Sequence, residues 1–175
     1  MILVLAGPVH SGKTSLLRHL LPDLEALEVP VCGYLSLAVR SDGEIFGYDL
    51  FDIKKGRSLP FLRTEGEDAW QKVGPYFILP SGLKAAEAAI LGRKPGELLI
   101  VDEIGPLEFS GQGVWPALLK ALDRFSFDGL LVTRKTLLKT LRDRLGFRPV
   151  EVFYIGREDV QPALLKALSE KKRAE

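Results

Sequence analysis

Ile2-Leu3-Val4-Leu5-Ala6-Gly7-Pro8-Val9-His10-Ser11-Gly12-Lys13-Thr14 is the stretch on which the reading of this 175-residue chain turns. Up to Ala6 it is a continuous apolar run, as in a strand covered on both faces, and strands of that kind belong to α/β sheets. Gly7 to Thr14 then satisfies G-x-x-x-x-G-K-[ST] in full. The glycines let the backbone approach phosphate oxygens and let successive N–H groups point inward as an anion nest. Lys13 is placed to reach β- and γ-phosphates, and the Thr14 hydroxyl to bind Mg²⁺. From Lys13 onward Leu16, Leu17, Leu20 and Leu21 form a helical stripe, with Arg18 and His19 on the other side, and the helix is expected to stop at Pro22. Its positive N-terminal end adds to the phosphate site. A chance match to the motif in a chain of this composition is on the order of one per cent, before a strand and a helix are required around it. The segment Gly7, Pro8, Val9, His10, Ser11, Gly12, Lys13, Thr14 and Ser15 is therefore read as a triphosphate-binding loop, with His10 a solvent-facing member.

A second apolar run, Leu98-Leu99-Ile100-Val101, ends in Asp102 and Glu103. Beside such a loop, the carboxylate at the strand end is the one that holds the Mg²⁺ shell, so Thr14 and Asp102 are the expected metal residues. A carboxylate directly after it can accept a proton from a water attacking the γ-phosphorus, which gives Glu103 and Lys13 the catalytic roles. Leu99, Ile100, Val101, Asp102, Glu103, Ile104 and Gly105 together form this second half of the nucleotide site. Gly105-Pro106 turns the chain, and Glu108 is near enough to add an outer carboxylate.

Between the two halves, Val31 to Arg40 and Glu44 to Ile53 are rich in β-branched and aromatic residues and flank Ser41-Asp42-Gly43, the signature of a β-hairpin. Extended pieces follow at Leu59 to Arg63 and Pro75 to Leu79. Ser81 is expected to cap a helix with Leu83, Ala86 and Ile90 on its inner face, ending near Gly92. Strands at Leu98 to Asp102, Gly129 to Thr133 and Val150 to Ile155 then alternate with helices at Trp115 to Phe125, Thr136 to Leu145 and Asp159 to Ser169. No repeat or linker divides the chain, so residues 1–175 are read as one α/β domain. The terminal run Glu170-Lys171-Lys172-Arg173 reads as a solvated helix end.

Composition narrows the partners. Lys plus Arg number 24 against 23 Asp plus Glu, so no basic excess marks a nucleic-acid binder. Apolar residues make up 46%, but the apolar runs have strand length, which excludes a membrane span. A lone cysteine, Cys32, forms no internal disulfide and reads as a buried small hydrophobe. No basic flank precedes an apolar stretch at the N-terminus, so a cytoplasmic protein is expected, with a monomer favoured.

Beyond these readings, the chain resembles the small nucleoside-triphosphatase family found in thermophiles and, in animals, named cancer-related nucleoside-triphosphatase. The resemblance rests on the Gly7 to Thr14 loop and, more specifically, on Asp102-Glu103-Ile104-Gly105-Pro106-Leu107-Glu108. Gly33-Tyr34 with Arg40, Gly43, Gly47-Tyr48, and Val73-Gly74 with Tyr76 extend it over residues 1 to 159. It implies a P-loop nucleoside-triphosphatase fold, a RecA-like three-layer sandwich with a mainly parallel sheet and an inserted hairpin. An extra strand, Gly129 to Thr133, would lie between the loop strand and the Asp102 strand, putting Thr133 and Arg134 near the γ-phosphate as sensors. The chain departs from many relatives at Leu37 and Ala38, where they are acidic, and at Thr133, where they have histidine. The expected activity is Mg²⁺-dependent hydrolysis of ATP, GTP, CTP and UTP to the diphosphate and phosphate. A kinase of the same fold and a nucleotide-switched adaptor are the alternatives.

Overall fold

Strand β1 (Ile2–Gly7) is buried along its whole length. It lies inside a sheet, paired in parallel with β8 (Gly129–Arg134) on one side and β9 (Val150–Tyr154) on the other. In the computed structural model, which describes residues 1–124 and 129–170, β8 pairs in turn with β7 (Leu98–Ile104), and β7 with the start of β2 (Val31–Ser41). The strand at Gly129 thus separates the loop strand from the Asp102 strand, as the resemblance implies. On its far side β2 continues into an antiparallel extension formed by β3 (Glu44–Asp52), β4 (Arg57–Arg63), β5 (Lys72–Val73) and β6 (Tyr76–Ile78). Among the described residues the sheet runs β5-β6-β4-β3-β2-β7-β8-β1-β9. The hairpin about Asp42 and Gly43 is therefore the root of a larger antiparallel wing on the same sheet.

Alternation along the strands sends side chains to two cores. Leu3, Leu5, Leu130 and Val132 meet Leu17, Leu20 and Leu24 of α1 (Lys13–Ala26) and Leu164 of α6 (Val160–Glu170). Val4, Leu99, Val101 and Leu131 meet Ile90 of α2 (Pro80–Leu91), Leu118 of α4 (Trp115–Arg124) and Leu141 of α5 (Leu138–Leu145). Helices on both faces of a mixed sheet make a three-layer sandwich, the architecture that the resemblance implies. No described helix is long and apolar enough to cross a membrane.

Several local expectations are corrected. Helix α1 runs through Pro22 to Ala26. The carbonyl that Pro22 leaves without an intrahelical donor belongs to Arg18 on the exposed face, and fully buried Leu24 holds the last turn to the core. Ser81 does not cap α2: the cap position is Leu79, and Pro80 starts the helix, its fixed φ suited to that place. A single 3-10 turn, Lys135–Leu137, precedes α5, so Thr136 is outside the regular helix. After Gly105 the chain forms a short helix, α3 (Pro106–Phe109), rather than a plain turn. Of the helix expected over Trp115 to Phe125, Phe125 lies outside the described residues, as do Lys171, Lys172 and Arg173 of the terminal charge run.

Candidate active site

The loop between β1 and α1 is shaped by its glycines. A Cβ on Gly7 would collide with the Ile155 side chain, and Gly12 has φ 88°, a conformation that costs other residues energy. Ser11 Oγ donates to the Pro8 carbonyl at 2.8 Å. His10 is exposed, as read. Lys13, by contrast, is only 5% exposed. Its Nζ donates to the carbonyls of Pro8 at 2.7 Å and Gly7 at 3.4 Å, and lies 3.6 Å from Glu103 Oε2. The ammonium is folded back into its own loop, its charge balanced by backbone dipoles and one carboxylate.

Thr14 and Asp102, far apart in sequence, meet directly: Thr14 Oγ1 donates to Asp102 Oδ2 at 2.7 Å. The same oxygen accepts the Ser36 N–H at 3.2 Å. Asp102 is 1% exposed, and burial pushes its carboxyl up to about 6 despite these hydrogen bonds and the Lys13 charge. Among the described residues no three His, Cys, Asp or Glu side chains gather into a self-sufficient metal cage. A nucleotide-site Mg²⁺ does not need one, because phosphate and water oxygens complete its shell around one or two protein donors.

How β7 presents its carboxylates follows from its pairing with β8. Val101 is opposite Leu131 but Ile104 is opposite Thr133, so β7 has one residue more than its partner across the interval that holds Asp102 and Glu103. Such a bulge releases side chains from strict alternation and re-aims them. The peptide between the two acids is cis. Thr133 Oγ1 donates to the Ile104 carbonyl at 2.9 Å and is fully buried, so its hydroxyl steadies the bulge. Arg134, one residue on, donates from Nε to Glu103 Oε1 at 3.1 Å. Glu103 therefore has one oxygen toward Lys13 and the other toward Arg134.

Leu99, Ile100, Val101 and Ile104 are buried in the two cores and fix the height of Asp102 without reaching the site surface. Glu108 is 8% exposed and accepts the Gly105 N–H at 3.0 Å. Burial holds its carboxyl above the usual range. Its immediate bond ties α3 to the end of β7.

A cavity of about 920 Å³ opens over these groups. Val9 to Ser15 floor one end, Asp102, Glu103 and Arg134 stand at the middle, and Tyr48, Phe61 and Tyr76 of the antiparallel wing wall the other. A second cavity of about 390 Å³ lies across the loop, between Gly7, Pro8, Lys135, Tyr154, Ile155 and Arg157. Ser36 and the aromatic wall were not foreseen, since a backbone N–H leaves no mark in the sequence. The Gly47-Tyr48 and Tyr76 matches were the only signal.

The fold is shared by solved proteins. A solution structure of a human cancer-related nucleoside triphosphatase superposes with a TM-score of 0.74, 24% identity, and 99% of this chain against 97% of that one. A crystal structure of THEP1 from the hyperthermophile Aquifex aeolicus gives a TM-score of 0.73 with 16% identity, over 96% of this chain and 99% of that one. In sequence, the nucleoside-triphosphatase THEP1 of Pyrobaculum islandicum is 31% identical over 89% of this chain and 84% of its own length. That of Pyrobaculum calidifontis is 30% identical over 97% and 93%. The NTPase family matches residues 2–165, which takes in both halves of the site, and the chain belongs to that family.

Proposed function

We propose that the chain hydrolyses nucleoside 5′-triphosphates, with Mg²⁺, to the diphosphate and phosphate. The observation that carries this reading is Glu103, a carboxylate at the cavity wall with Lys13 on one oxygen and Arg134 on the other. The triphosphate would lie on the Gly7 to Ser15 loop, drawing Lys13 from its backbone carbonyls to the β- and γ-oxygens. Release of Lys13 leaves Glu103 free to take a proton from water in line with the γ-phosphorus. Arg134 keeps that carboxylate in place and is within reach of the charge that develops on the γ-oxygens.

The Thr14 hydroxyl and the Asp102 carboxylate, already in contact, are hard oxygen donors that suit Mg²⁺. When bound, the ion supplies charge neutralisation on the β- and γ-phosphate oxygens. Burial of Asp102 favours a cation beside it, since a buried carboxylate is costly without compensating charge.

The names of the Pyrobaculum relatives point to the same chemistry. We further infer tolerance of the base. The end of β9 and the loop after it line the smaller cavity with Tyr154, Ile155 and Arg157, and the Arg157 guanidinium lies 5.7 Å from the Tyr154 ring centre. Ring faces and flexible cations stack on any base without reading its edge. Stacking and shape discriminate by about 10 to 10², against about 10⁴ for a pocket built on base hydrogen bonds. Phosphate release from ATP, GTP, CTP and UTP, with and without Mg²⁺, tests both points. A thousandfold preference for one base, or release that ignores Mg²⁺, would contradict them.

A further inference from the structure

We propose that the wing end of the large cavity binds a second molecule, a neutral ring-bearing alcohol of nucleoside size, whose hydroxyl takes the γ-phosphoryl group at Glu103 in place of water. The proposal rests on the reading of Lys13 and Glu103 as a phosphoryl-transfer centre and adds an acceptor to it.

Size is the first argument. Pockets of 300 to 1,000 Å³ enclose whole organic ligands, and this one measures about 920 Å³. A triphosphate on the loop fills the end floored by Val9 to Ser15. Hydrolysis asks no more of the remaining space than room for a water. Yet that space is walled by Ile45, Phe61, Leu62, Val73 and the Tyr48–Tyr76 pair. Apolar walls facing a cavity gain free energy only when something covers them.

Shape and charge narrow the ligand. Tyr48 and Tyr76 stand edge to face, centroids 5.3 Å apart and planes at 85°, over the buried Tyr34–Phe61 pair of the core. Ring edges and faces presented together receive a further planar ring well. The cations at this end are engaged elsewhere: Lys72 lies 4.1 Å from the Phe77 ring centre, and Arg40 donates to the Gly43 carbonyl at 2.9 Å. Apart from these two cations the wing end is lined by neutral side chains, which suits a neutral ligand.

The aromatic end also stands in reach of the chemistry. Tyr48 and Tyr76 line the same cavity as Glu103 and Arg134. A ring between the tyrosines and the Glu103 carboxylate therefore brings a substituent hydroxyl to where the attacking water would sit. Glu103 takes the hydroxyl proton while the oxygen bonds to the γ-phosphorus. The bond from that phosphorus to the β–γ bridging oxygen breaks, and its electron pair leaves with the nucleoside diphosphate. No oxidant or further reactant is involved.

The test follows label from γ-³²P-ATP and Mg²⁺ into inorganic phosphate or an acid-stable phosphate ester, with adenosine, uridine, pyridoxine or glycerol present. We expect at least one ring alcohol to carry more label than water does and glycerol, which has no ring, to carry none. Ala38 is exposed on β2 and directly opposite Tyr48. Ala38→Trp should fill the wing end, abolish ester formation and leave phosphate release without alcohol unchanged; Tyr48→Ala should also lose the ester. Label found only in inorganic phosphate with every ring alcohol, or glycerol labelled as well as the ring alcohols, would overturn the proposal. Label that stays in ATP without alcohol but enters an ester with one would instead sink the hydrolytic reading alone.

Discussion

Replacing Glu103 by glutamine should separate binding from chemistry, in opposite directions. Glutamine keeps the shape and the hydrogen bond from Arg134 but removes the charge 3.6 Å from Lys13 Nζ. Two unit charges at that separation attract by about 1 kcal/mol in a water-like medium and about 4 to 5 kcal/mol at an effective dielectric of 20. Lys13 is 5% exposed and Glu103 29%, so solvent at the carboxylate keeps the pair toward the lower part of the range, about 1 to 2 kcal/mol. A triphosphate must draw Lys13 out of that attraction and also lie against the carboxylate. Without the charge it should bind about 5 to 30 times more tightly, by the same energy converted at 1.4 kcal/mol per tenfold. Single-turnover hydrolysis should meanwhile fall by roughly 10² to 10⁴, the range for loss of a general base. Titration with a fluorescent triphosphate gives the affinity, and rapid quench gives the turnover. Affinity unchanged or weakened, together with unchanged single-turnover hydrolysis, would show that Glu103 neither holds Lys13 nor activates water.

Lys13→Ala should lower turnover by on the order of 10³ or more, since no other described cation sits in the loop, and a normal rate in a folded variant would refute the role. In metal-free protein, the Asp102 carboxyl stands at about 6 against an ordinary 3.8. A raised carboxyl stabilises the fold most below pH 4 and loses that share as pH rises through 6, by roughly 3 kcal/mol at most. Asp102→Asn should flatten this slope in denaturant titrations run with chelator between pH 4 and 7; an unaltered slope would exclude the assignment. Burial pushes the Cys32 thiol up to about 12, so a thiol reagent at pH 8 should react only on unfolding, and fast reaction of native protein would contradict its placement.

How much of this was legible depended on whether a residue acts through its side-chain type or through where the backbone takes it. Gly7 to Thr14 was legible because each position answers a separate constraint, and Asp102 because an apolar strand leads to it. The extra strand at Gly129 came through the resemblance, as strand order is carried by no local pattern. Pro22 misled because local propensity stops a helix there while Leu24 continues to bury surface. Strand β5 is two residues long, too short for a period-two signal. The burial of Lys13 was equally hidden, because a lysine in a glycine-rich loop reads as solvent-facing until the loop carbonyls turn inward.

Ser36 shows why the wing and the phosphate site form one device. Strand β2 pairs with β7 only from Val31 to Tyr34. Two residues later, where β2 has parted from β7 to run on with β3, the Ser36 N–H closes on Asp102 Oδ2. At the same level the β7–β8 register shifts between Val101 and Ile104, the interval that holds the two carboxylates. The oxygen that Ser36 fixes is the one that Thr14 also holds, which ties the wing, the loop helix and the β7 carboxylate to a single atom. The aromatic wall and the phosphate floor, which no sequence pattern connects, keep a fixed distance for this reason, and a molecule seated against one is positioned for chemistry at the other.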